Sequence, residues 1–96
     1  MFRHIVLIKT AAPAEVRAIL DTLPGLRGRV PGLVAVDVFG NASQYHRGFE
    51  QCFVMDFTDA GALAAWDDHP AHPPIRDALL RLSELVVVDH PVPGAA

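Results

Sequence analysis

Residues 49–57 read Phe49-Glu50-Gln51-Cys52-Phe53-Val54-Met55-Asp56-Phe57. The stretch is rich in aromatic and β-branched residues and lies between turn-forming segments, as a strand does. Successive side chains of a strand point to opposite faces. One face then carries Gln51, Phe53, Met55 and Phe57, and the other carries Cys52, Val54 and Asp56. Both sets are largely apolar, so both faces of this strand need cover.

The same pattern recurs upstream. Residues 2–9, FRHIVLIK, form a first strand, with His4, Val6 and Ile8 on one face and Arg3, Ile5, Leu7 and Lys9 on the other. Residues 33–40, LVAVDVFG, form a second strand, joined to 49–57 by a polar link short enough for an antiparallel hairpin. Residues 85–90, LVVVDH, form a fourth. Between the first and second strands, Val16, Ile19, Leu20 and Leu23 recur at helical spacing, Pro13 fits a first turn, and Pro24-Gly25 ends or kinks the helix. After the third strand, Thr58 or Asp59 caps a short helix over AGALAAW. Pro73-Pro74 opens another helix, striped by Ile75, Leu79 and Leu82.

The order is β-α-β-β-α-β. Right-handed crossovers favour an α+β, ferredoxin-like protomer: a four-stranded antiparallel sheet with its helices on one face. That arrangement leaves Ile5, Leu7, Cys52 and Val54 bare on the other face. An apolar sheet of this size calls for a partner. The economical solution is a homodimer in which two sheets face each other, a dimeric α/β-barrel.

Bulk properties narrow the function. Ninety-six residues make a single domain, 1–96, about half of it hydrophobic. The net charge of −3 and the lack of any Lys/Arg run argue against nucleic acid. No apolar run reaches the ~20 residues of a membrane span, and the N-terminus is too short and too alternating for a signal peptide, so a cytoplasmic protein is expected. A lone cysteine, Cys52, excludes an internal disulfide and paired-cysteine zinc sites.

The chemistry concentrates in Asp67-Asp68-His69-Pro70-Ala71-His72-Pro73-Pro74. Three readings stand. His72 lines a pocket, or its ring accepts a backbone N–H and caps the following helix, or His69 and His72 join Asp67 or Asp68 on a metal. Pro70 stiffens the link and no distant Cys/His pair completes a ligand set, so no metal and no cofactor is expected. His69 reads as a turn residue. His4 is either a pocket polar group or a satisfied core histidine. Asp56 should pair with Arg3 or Lys9. Pro91 and Pro93 in the tail should block further strand pairing, leaving 91–96 free to wrap a partner.

Several pieces together resemble the stress-responsive dimeric α/β-barrel (Dabb) family: RHIVLIK, VPGLVAVDVFGNAS, FVMDFTDAGALAAWDDHPAH and LVVVDH. The distinctive residues are His4, then Gly40, Asn41 and Ser43, then His69-Pro-x-His72. The resemblance implies a ferredoxin-like protomer and a barrel-forming homodimer. It covers stress proteins without an assigned activity and cofactor-free, olivetolic acid cyclase-like polyketide cyclases. In those cyclases a pocket lies between sheet and helices of each protomer. By resemblance His72 is the general base and His4 lines the same pocket. Trp66 stands where the cyclase has a tyrosine, and Gln51 where it has a strand-three histidine. Trp can donate through its indole but cannot act as a phenolic acid or base.

A small hydrophobic carbonyl ligand follows. Removing a proton from carbon between two carbonyls suits imidazole, and His4 or Gln51 would steady the enolate. Val6, Ile8, Phe53, Met55, Trp66 and Leu82, with His69 nearby, would form the wall. The alternative is a non-catalytic stress or interaction protein with structural histidines.

Overall fold

The computed structural model describes residues 1–93. Its strands are β1 (Phe2–Thr10), β2 (Leu33–Gly40), β3 (Phe49–Phe57) and β4 (Ser83–Pro91). Its helices are α1 (Pro13–Leu20), α2 (Ala60–Asp67) and α3 (His72–Leu82), with a 3-10 turn at Leu23–Leu26. All pairings are antiparallel, in the order β2-β3-β1-β4. This is the ferredoxin-like β-α-β-β-α-β arrangement.

The alternation in β1 and β3 sorts side chains as the sequence predicts. Val6, Ile8, Phe53, Met55 and Phe57 are buried beneath the helices. Val16 and Leu20 of α1, Leu23 and Leu26 of the 3-10 turn, Leu63 and Trp66 of α2, and Leu79 of α3 close over them. Asp59 caps α2, accepting the Ala62 N–H at 2.8 Å. Helix α1 stops at Leu20, so Leu23 belongs to the tighter turn that Pro24 and Gly25 impose.

Two boundaries differ from expectation. β4 starts at Ser83, directly after α3, and continues through Pro91 opposite Phe2. Proline lacks only the donor, and β4 is an edge strand, so pairing persists and the Val92 N–H reaches the Met1 carbonyl at 2.8 Å. Residues 94–96 of the proposed wrapping tail lie outside the described residues.

The second face of the sheet carries no helix. Arg3 and Asp56 meet there in a two-pronged ion pair, 2.8 and 3.1 Å. Hydrogen bonding to Asp56, and then its negative charge, hold the Arg3 guanidinium above its ordinary value. Around the pair lie Ile5, Leu7 and Val54, with Phe39, Val86 and Val88 exposed. Cys52 is the buried member of this face, and its burial pushes the thiol up.

The β2–β3 connection is fastened by Asn41. Its amide donates to the Phe49 carbonyl at 3.2 Å, and its side-chain oxygen accepts the Ser43 N–H at 3.0 Å. Gly40, Asn41 and Ser43 thus belong to hairpin closure. Gly32 is the other fixed point. Its φ is +80°, and a Cβ there would lie 2.6 Å from Ala62 Cβ and 3.1 Å from Thr58 Oγ1. Gly32→Ala is expected to cost about 2–4 kcal/mol, from left-handed strain plus overpacking, read as a lower denaturant midpoint with an unchanged slope.

Candidate functional site

A cavity of about 110 Å³ lies between the sheet and the helices, towards the β4 edge. Strand β1 supplies His4 and Val6, β3 supplies Phe53 and Met55, and β4 supplies Leu85 and Val87. The antiparallel register stacks these residues: Val6 faces both Phe53 and Val87, and His4 faces both Met55 and Asp89. From above come Leu23, Trp66 and the inward face of α3, namely His72, Ile75, Arg76 and Leu79. These α3 residues fall at i, i+3, i+4 and i+7, one stripe of a helix.

His4 is held by a partner from the far end of the chain. Its Nδ1 lies 2.6 Å from Asp89 Oδ1. A carboxylate accepts, so Nδ1 carries the hydrogen, and in the neutral ring Nε2 keeps a free lone pair. The His4 side chain is 15% exposed, and its ring stands 6.0 Å from that of Phe53.

His72 is held differently. Its Nδ1 lies 3.2 Å from the Asp67 carbonyl oxygen, which can only accept, so this nitrogen also carries a hydrogen. Its Nε2 lies 3.8 Å from the Asp67 carboxylate. The ring meets Trp66 edge-on at 5.0 Å. His72 makes no side-chain cap to its own helix. The turn bond belongs to His69, whose Nδ1 accepts the Ala71 N–H at 3.1 Å. Two histidine–aspartate pairs thus flank one cavity, one on the sheet and one on the helices.

The remaining expected residues divide. Val6, Phe53, Met55 and Trp66 line this cavity with His4 and His72. His69 stands behind Trp66, ring centroids 5.7 Å apart. Ile8 and Gln51 lie further along the sheet, in a separate hollow of about 240 Å³. There the Gln51 amide donates to the Pro13 carbonyl at 2.9 Å. Leu82, at the end of α3, packs against the margin of the core, away from the cavity. Strand parity gives Gln51 the correct face, but a face does not fix position along the strand. Asp89 and Arg76 were not anticipated. The sequence carries no signal for Arg76, which lies beside the Ile75, Leu79 and Leu82 stripe of α3 and not within it. Among the described residues no group of three or more His, Cys, Asp or Glu side chains could hold a metal. No described helix is long and apolar enough to cross a membrane.

The model of the stress responsive A/B barrel domain matches residues 2–92. The chain belongs to this Dabb family. A dimeric ferredoxin-like protein of unknown function from Jannaschia sp. CCS1 is 26% identical, with a TM-score of 0.85 over 95% of this chain and 98% of that one. A protein of Arabidopsis thaliana is 19% identical, with a TM-score of 0.83 over 100% and 99%. SnoaB, a cofactor-independent oxygenase of Streptomyces nogalater, is 18% identical, with a TM-score of 0.79 over 98% and 94%. A sequence comparison with curated proteins gives no match. The likeness to the last two is one of fold.

Proposed function

We propose that this Dabb protein binds a small hydrophobic carbonyl compound in the cavity and moves a proton on it, without a cofactor, as a polyketide cyclase does. The observation that carries this reading is the 2.6 Å contact between His4 Nδ1 and Asp89 Oδ1 beside a mostly apolar cavity. A carboxylate on one ring nitrogen fixes the tautomer, makes the other nitrogen the base, and stabilises the imidazolium that forms. His4 therefore takes the proton from carbon. His72, on the helix side, donates to the developing enolate through Nε2 once protonated, with Asp67 at hand to steady its charge. This reverses the roles that the family resemblance implies, where His72 is the base.

Two copies join through the uncovered face of the sheet. Ile5, Leu7, Val54, Phe39, Val86 and Val88 supply its apolar surface, and the Jannaschia relative is described as dimeric. The cavity lies on the opposite face, so each protomer keeps its own.

The test is proton exchange. Ethyl acetoacetate in deuterated buffer should lose its central methylene protons faster with the protein than without it, followed by NMR. The ester should also quench the fluorescence of Trp66, the single tryptophan. Quenching without accelerated exchange would leave a binding protein with structural histidines. Neither response would overturn the pocket reading as well.

A further inference from the structure

Among the described residues Arg76 is the one cavity-lining side chain with a permanent charge, and it stands at the margin of the apolar stripe formed by Ile75, Leu79 and Leu82. Ile75 and Leu79, its neighbours on the inward stripe, pack on the core. Arg76 reaches the same cavity yet is 45% exposed, so it sits at the mouth. Its Nε donates to Asp77 Oδ1 at 3.0 Å. That bond fixes one edge of the guanidinium and leaves the two terminal nitrogens without a protein partner among the described residues. Neither carboxylate of the two histidine pairs lines the cavity.

Size adds a second constraint. The cavity, about 110 Å³, is smaller than the ~150 Å³ void that admits benzene. A short acyl chain fills it, and any further part of a ligand must leave through the mouth. The mouth is bordered by Arg76 and by Val87, which is 49% exposed.

We infer that the ligand is an amphiphilic acid: its carbonyl-bearing apolar part enters between His4 and His72, and its carboxylate stays at the mouth on the terminal nitrogens of Arg76. A planar guanidinium can hold a carboxylate by two parallel hydrogen bonds. This rests on the proposed function and specifies its substrate class. Arg76 is a specificity residue in this scheme, acting at the end of the ligand remote from the transferred proton.

A matched pair of probes tests it. But-2-enoate and but-2-enamide have nearly the same shape, are short enough for the cavity, and differ in charge. In the full chain, Trp66 quenching should show the acid binding about tenfold or more tightly than the amide, as a charge-assisted bond provides. Arg76→Gln should bring the acid to the affinity of the amide, and Arg76→Lys should keep part of the preference. Equal affinities in the wild type, or a preference that survives Arg76→Gln, would overturn the carboxylate anchor while leaving the cavity as a binding site. Failure of both probes to bind would overturn the cavity reading and the anchor with it.

Discussion

His4→Ala is expected to lower the protein-dependent exchange of ethyl acetoacetate by about 10²–10⁴-fold, the range that a positioned general base contributes. Alanine removes the acceptor nitrogen and leaves Asp89 without its ring. The sharper variant is Asp89→Asn. It keeps the shape of the side chain, but its amide N–H can donate to Nδ1. The hydrogen of the neutral ring then moves to Nε2, the nitrogen that must accept. The loss should approach that of His4→Ala, and the double variant should be little worse than either single one, because the two residues act as a unit. Binding of but-2-enamide, followed by Trp66 quenching, should persist in Asp89→Asn, which separates chemistry from occupancy. Full exchange activity in Asp89→Asn would refute the dyad. Loss of exchange in His72→Ala, with His4→Ala unaffected, would transfer the role of base to His72.

Leu7→Asp is expected to convert the proposed dimer to monomers, raising the dissociation constant by at least about 100-fold, since burying an unpaired carboxylate costs several kcal/mol. Leu7 sits in β1, the strand flanked by β3 and β4, with Cys52 and Val86 directly opposite it. In a two-fold interface the substitution enters twice, so the penalty is incurred by both copies. Sedimentation velocity over a dilution series measures it. Single-domain stability should fall far less, because Leu7 points away from the helix-covered core. A wild type that is already monomeric at micromolar concentration, or a Leu7→Asp variant that remains dimeric, would sink the idea that this face is the interface.

Much of the fold was legible because β1 and β3 alternate strictly up to the register shift between Ile8 and Lys9. Gln51, Phe53, Met55 and Phe57 share a face whatever the rest of the chain does. The bare second face followed by subtraction once the helices were assigned. The histidines of the candidate site were visible as residue types out of place: His4 within an apolar strand, His72 at a helix start. Their partners were not. His4 and Asp89 are separated by 85 positions, and only the register of β1 against β4 brings them together. A one-residue slip would have presented Val88 or His90 instead. Gln51 failed for a complementary reason. Parity along a strand reports up or down, and position along the cavity depends on where the helices lie above it. The end of β4 was misjudged because Pro91 reads as a stop, whereas at an edge strand it forfeits only a donor.

The sheet is one side chain thick on each side, and its two faces answer to different demands. In β1 the even-numbered positions His4 and Val6 face the cavity, and the odd-numbered Ile5 and Leu7 face the uncovered side of the sheet. In β3 the parity is inverted, with Phe53 and Met55 towards the cavity and Cys52 and Val54 away from it. A single strand therefore carries two interleaved messages that can be rewritten separately. Libraries that vary only the even positions of β1 and the odd positions of β3 should change what is bound while preserving assembly. Libraries of the complementary positions should exchange one pairing specificity for another and leave ligand choice intact.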